Sequence, residues 1–250
     1  MSVTLAAPMA PLAMPGVRPV SLRRIASFAP LSLADESLIK RLKPRTLPTG
    51  AQLSARAGDD GAAWVILSGW CARTRTLPDG RSQIVHFLLP GDTIGLEAMR
   101  WAGDELPVEA LTPVIVSDAE PLKSVIKLRL PEHRGLAKAC ERAAWCEQVY
   151  CLNTLVRLGQ QTAYERLSHL LLELNTRLST VGLVNAKGFQ LPITQDVMAH
   201  ALGLSLVHLS RTLRQMRREA SIAFGNGQVE LLRPDLLAQA ANFPHVAAWN

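Results

Sequence analysis

The sequence predicts an α+β protein: an antiparallel β domain, then a long helix, then a helical domain closed by a β-hairpin. Three observations carry that prediction. Between residues 50 and 119, short apolar runs alternate with tight-turn signals, the texture of an antiparallel β-roll, jelly roll or barrel. Residues 136–159 have no interior proline or glycine and repeat apolar side chains at helical spacing. Residues 194–218, TQDVMAHALGLSLVHLSRTLRQMRR, read as two short helices divided at Gly203, the second of them basic.

Residues 1–24 are rich in Ala, Pro and Met, and Arg18 is their first charge. A secretory signal wants a positive start and an unbroken apolar core, which Pro8, Pro11 and Pro15 interrupt here. A flexible leader on a cytoplasmic protein is the expectation. Cys71, Cys140, Cys146 and Cys151 show no disulfide-framework spacing and suit a reducing compartment. No run approaches the roughly 18 apolar residues of a membrane span. The net charge of +6 and 48% hydrophobic content fit a soluble globular chain with a mild preference for polyanions.

Ser32 caps a short helix over 32–42, with Leu38, Ile39 and Leu42 on its apolar side. In the β region the apolar runs are 64–67, 84–89 and 114–116. Gly58-Asp59-Asp60-Gly61, Pro78-Asp79-Gly80 and Pro90-Gly91-Asp92 supply the reversals between them.

In the long helix, Trp145, Val149, Leu152 and Val156 recur at spacings of four, three and four, as in a coiled-coil seam. A second apolar set, including Leu136, Cys140, Ala144, Cys151, Leu155 and Leu158, lies on another side. A helix apolar on two sides buries both, either within one subunit or with one side against a partner. The dimer is the favoured reading, because two copies of a helix-turn-helix suit a two-fold DNA site.

A further helix over 163–178 carries Leu167, Leu170, Leu171 and Leu174. Thr194 caps the next, whose apolar side is Val197, Met198, Ala201 and Leu202. Gly203 ends it, and Ser205 caps the basic helix, in which Leu209, Leu213 and Met216 mark the buried face. At 100° per residue the opposite face holds Val207, Arg211, Arg214 and Arg218 and no acid, the pattern of a recognition helix. The bland alternative is an amphipathic hairpin with a solvated basic face. Residues 222–224, the turn Gly225-Asn226-Gly227 and residues 228–232 then form a hairpin placed as a wing.

This order is similar to that of the Crp/Fnr family of bacterial transcription regulators, from about residue 25 to 240. Val65-Ile66-Leu67-Ser68-Gly69 and Pro90-Gly91-Asp92-Thr93-Ile94-Gly95 resemble the family's strand-turn signatures. Leu191-Pro192-Ile193-Thr194-Gln195, Leu202-Gly203-Leu204-Ser205 and Leu209-Ser210-Arg211-Thr212-Leu213 resemble its DNA-binding signature. The resemblance implies a leader (1–24), a cyclic-nucleotide-binding-like β-roll sensor domain (25–135), a dimerisation helix (136–160) and a winged helix-turn-helix domain (161–250). It also implies a homodimer on a double-stranded DNA operator, with RNA polymerase as a partner. Base edges would fall to Leu206, Val207, His208 and Arg211, with Arg211 bidentate to guanine. Ser210, Arg214 and Arg218 would take phosphates, and the capping residues Thr194 and Ser205 complete the set. Two departures stand out. Val207 replaces the Glu of many members and cannot accept from cytosine, and Glu219-Ala220-Ser221 occupies a place where members usually have Gly.

The same resemblance frames what is missing. The family's cyclic-nucleotide binders follow a Gly-Glu pair with an Arg-Ser/Thr-Ala that holds the phosphate. Here Leu96-Glu97 follows Gly95, and up to Val116 Arg100 is the one base against Glu97, Asp104, Glu105 and Glu109. Cyclic AMP and cyclic GMP are expected not to bind. The iron–sulfur branch uses closely spaced N-terminal cysteines, and none precedes Cys71. On one helix Cys140, Cys146 and Cys151 diverge, and Cys140 and Cys151 share a face about 16 Å apart along the axis. Buried apolar thiols are the first reading, and redox sensing across a dimer axis is the alternative. A cupin-like metalloenzyme needs two or three converging histidines, whereas the β region holds His86 alone. No catalytic, metal or cofactor-binding set is expected, and no effector is legible. A sensor without DNA binding is opposed by Arg211 and the acid-free face.

Overall fold

A computed structural model describes residues 18–53, 62–96 and 107–243. The chain starts with α1 (Val20–Phe28) and α2 (Leu33–Lys40). Seven strands follow: β1 (Pro44–Leu47), β2 (Trp64–Ser68), β3 (Cys71–Thr76), β4 (Ser82–Leu88), β5 (Thr93–Ile94), β6 (Val108–Ala110) and β7 (Val114–Asp118). α3 (Glu120–Lys127) leads to the 27-residue α4 (Arg134–Gln160).

β1, β7, β2 and β5 form one sheet in that order, and β4, β3 and β6 a second. The pairs β1–β7, β2–β7, β2–β5 and β3–β6 are antiparallel, as the sequence predicts. Leu53, Ile66, Cys71, Leu88, Val108, Val114 and Val116 form the core of this β-roll. Gly69 is required at the end of β2: its φ is +83°, and a Cβ there would stand 2.4 Å from the Pro113 carbonyl oxygen. A second cluster, including Leu22, Ile25, Ile39, Val65, Leu122, Leu136 and Cys140, packs α1, α2, α3 and the start of α4 together. The helix expected over 32–42 is α2, held by a capping box between Ser32 and Asp35.

The leader does not extend to residue 24. Val20, Leu22 and Ile25 are buried on α1, and Arg24 pairs with Asp92 at 3.1 Å, the two side chains 8% and 11% exposed. Removing either partner would strand a nearly buried charge, so this pair fixes α1 in place. The remainder of the expected leader, 1–17, lies outside the described residues.

By packing, the chain divides into two units: up to residue 75 together with 87–148, and 76–86 together with the chain from 149 onward. That division falls within α4, whereas the expected boundaries lie at its two ends. The second unit continues with α5 (Ala163–Thr180), β8 (Val184–Asn185), β9 (Gly188–Gln190), α6 (Gln195–Leu202) and α7 (Leu206–Arg218). β10 (Ile222–Gly225), β11 (Gln228–Leu231) and α8 (Pro234–Ala240) complete it. The expected hairpin is β10–β11, with Asn226 and Gly227 both at positive φ in its turn. It belongs to a four-stranded sheet, β10-β11-β9-β8.

Candidate nucleic-acid interface

The site is built on two caps and one glycine. The Thr194 hydroxyl accepts the Val197 N–H at 3.2 Å and starts α6. Gly203 ends it in the left-handed conformation at φ +61°, and Leu204 N–H donates back to the Ala199 carbonyl at 3.0 Å. A Cβ on Gly203 would also approach the Leu158 side chain to 2.8 Å. The Ser205 hydroxyl then accepts the His208 N–H at 3.2 Å and starts α7. The last carbonyls of α6 find side-chain donors: Arg166 donates to Leu202 at 3.0 Å, and Gln83 to His200 at 2.9 Å.

α7 is sharply two-sided. Leu209, Thr212, Leu213 and Met216 are buried and seat it against α5 and α6. Leu206, Val207, His208, Arg211, Arg214, Arg217 and Arg218 are exposed, and Ser210 is half-buried. Arg214 donates from its Nε to the Ser210 carbonyl at 3.3 Å. Arg217, about 40° around the helix from the buried Leu213, is exposed as well and extends the basic surface beyond the predicted set. Below α7 the sequence departure at Ala220 is tolerated at a cost: this alanine sits at φ +50°. Ser221 N–H donates to the Met216 carbonyl at 2.9 Å, and the Ser221 hydroxyl lies 3.1 Å from the Tyr164 hydroxyl of α5. These contacts hold the entry to the β10–β11 hairpin in the absence of a glycine.

Beneath this surface lies a buried polar cluster. Glu173 of α5 accepts from Arg157 at 2.8 Å and from Arg177 at 3.3 Å. Arg177 also covers the Tyr150 ring at 4.6 Å, and His86 stacks on that ring with centroids 5.5 Å apart. His86 is thus a packed histidine. His169 is 4% exposed, edge-on to Phe243 at 4.9 Å, and burial together with the nearby Arg157 pushes its imidazole down to about 4.

On α4, Trp145, Leu152 and Val156 are 55%, 60% and 53% exposed, while Val149 is half-buried. Leu155, placed in the second apolar set by the sequence, is exposed as well, whereas Leu136 and Cys140 enter the core. Cys146 is buried and Cys151 half-buried. Burial, then the nearby Asp92 carboxylate, pushes the Cys71 thiol up to about 12, which leaves it unreactive as a nucleophile. Among the described residues no group of three or more His, Cys, Asp or Glu is placed to hold a metal. Among the same residues no helix is long and apolar enough to cross a membrane. Glu97, Arg100, Asp104 and Glu105, on which the cyclic-nucleotide expectation rests, lie outside the described residues, while Glu109 is in β6.

A family model described as a Crp-like helix-turn-helix domain matches residues 165–240, and a cyclic nucleotide-binding domain model matches 45–117. The nitrogen fixation regulation protein FixK of Bradyrhizobium diazoefficiens is 30% identical over 170 residues, 68% of this chain and 69% of that protein. FixK of Azorhizobium caulinodans is 28% identical over 86% of this chain and 88% of its own length. The transcriptional activator protein Anr of Pseudomonas protegens is 27% identical over 85% and 87%. In fold, the structure of FixK2 from Bradyrhizobium japonicum matches with a TM-score of 0.67 at 24% identity, over 80% of this chain and 96% of that one.

Proposed function

Because the chain belongs to the Crp/Fnr family of bacterial DNA-binding transcription regulators, we propose that it acts as a cytoplasmic homodimer that places α7 of each subunit in the major groove of a two-fold operator. The observation that carries this reading is the acid-free exposed face of α7, where Arg211, Arg214 and Arg218 lie opposite the buried Leu209, Leu213 and Met216. Arg211 takes guanine through its two parallel N–H donors. Arg214, Arg218 and Ser210 take phosphates, and Thr194 and Ser205 present the N-termini of α6 and α7 to the same backbone. Leu206, Val207 and His208, at the start of α7, face base edges.

The stripe Trp145, Val149, Leu152, Val156 is the dimer seam, because its exposed members recur at seam spacing along α4. RNA polymerase is the protein partner in this reading. Regulation is by neither cyclic nucleotide nor an N-terminal iron–sulfur cluster. One base against four acids between Gly95 and Val116 disfavours a phosphate, and no cysteine precedes Cys71. A mobility shift of the full chain on genomic DNA fragments tests the reading. Binding should weaken steeply with salt and disappear in Arg211→Ala; a shift unchanged by that substitution would contradict it.

A further inference from the structure

Two of the exposed residues at the start of α7 carry no charge and no hydrogen-bonding group. Val207 is 59% exposed and Leu206 47%, on a helix whose other exposed positions are polar or basic. A lone exposed apolar side chain needs no explanation. These two sit in the first turn after the Ser205 cap, the part of a recognition helix that meets base edges. In the major groove guanine, adenine and cytosine offer only donors and acceptors, whereas thymine also offers a C5-methyl. A valine pressed on cytosine would leave the N4 amino group dry and unpaired, a penalty that a methyl group does not incur.

Position on the helix says which base pair is involved. Val207 and Arg211 are four residues apart, about 40° around the helix and about 6 Å along it. That separation is less than two base-pair rises of about 3.4 Å. We propose that Val207 is a specificity-determining residue that packs on a thymine C5-methyl, so that each half-site carries a T·A pair within two base pairs of the guanine read by Arg211. This rests on the reading of α7 as the DNA-contacting helix.

The test begins with duplexes enriched from a random library by the full-length protein. Each thymine of one half-site is then replaced in turn by uracil, which deletes the methyl alone. One replacement should weaken binding by the wild type about fourfold, the equivalent of roughly 0.8 kcal/mol per buried carbon. It should cost nothing in Val207→Ala, whose side chain is too short to reach. Val207→Glu should shift the preference at that pair to C·G, because a carboxylate accepts from cytosine N4. Val207 is exposed, so these variants fold as the wild type does. Tolerance of uracil at every position, with Arg211→Ala still losing the enriched site, would overturn methyl readout and leave DNA binding standing. A methyl effect that persists in Val207→Ala would also overturn the assignment. Failure to enrich any duplex, with Arg211→Ala without effect, would overturn the reading of α7 itself.

Discussion

Helices α4 and α7 both leave large apolar side chains in water, and their neighbours separate them. On α4 the exposed Trp145, Leu152 and Val156 lie in one line, with Leu155 beside them, and no charged residue interrupts that line. On α7 the exposed Val207 is followed along the same face by Arg211, Arg214 and Arg218, and the exposed Leu206 lies beside it in the first turn. Burying an apolar side chain fully is worth about 1.5–3 kcal/mol wherever it happens, so apolar exposure alone names no partner. An uncharged stripe matches another uncharged stripe, which a second copy of the chain supplies. An apolar pair among arginines matches a polyanion that carries methyl groups. Charge around the patch, more than the patch, selects what covers it.

Leu152→Glu sets two like charges against each other across the proposed seam. It should raise the dimer dissociation constant by about 3 kcal/mol, on the order of 100-fold, read by analytical ultracentrifugation. The fold of the subunit should survive by circular dichroism, since Leu152 is exposed within it.

Acid should separate the two helices next. Nothing in the α4 stripe titrates, whereas α5, on which α7 packs, buries His169. The folded state holds this imidazole neutral to about 4 against an ordinary value of 6.5. The unfolded chain therefore binds the proton first, and stability present above pH 6.5 is lost as the pH falls towards 4. The loss should reach at most about 3 kcal/mol. Thermal melts across that window should show the slope in the wild type and a flatter one in His169→Phe.

Arg211→Ala sharpens the α7 side. Operator affinity should fall by about 1–3 kcal/mol per half-site, by fluorescence anisotropy at fixed salt, with the dimer constant unchanged. The smallest effect leaves both helices alone. Ala220→Gly relieves a left-handed alanine at φ +50° and should stabilise the chain by about 1 kcal/mol, with neither affinity altered.

The helix-turn-helix was legible because its evidence is local. Thr194, Gly203 and Ser205 each act within four residues, and Leu209, Leu213 and Met216 carry the helical period on their own. The long helix was legible for the same reason. α1 was not, since its anchor Arg24 is held by Asp92, 68 residues away, and its start looks like the end of a proline-rich leader. β8 and β9 are two and three residues long, too short for alternation to register. Gly188 is demanded by the Val229 carbonyl, which would lie 1.8 Å from its Cβ. The α4 stripe was visible as a period, but its separation from the buried side needed the packing of Leu136 and Cys140 in one cluster. Arg217 was passed over because it lies off the line through Arg211 and Arg218, on the side of the buried Leu213, although it is exposed.

Sedimentation equilibrium of the free full-length protein, then of the protein with one short operator duplex at increasing salt, tests most directly the claim that α4 and α7 serve different partners. The expected result is a dimer without DNA that salt does not dissociate, and one duplex per dimer that salt releases. A chain that is monomeric at micromolar concentration without DNA, or whose self-association and duplex binding fall together with salt, would contradict it.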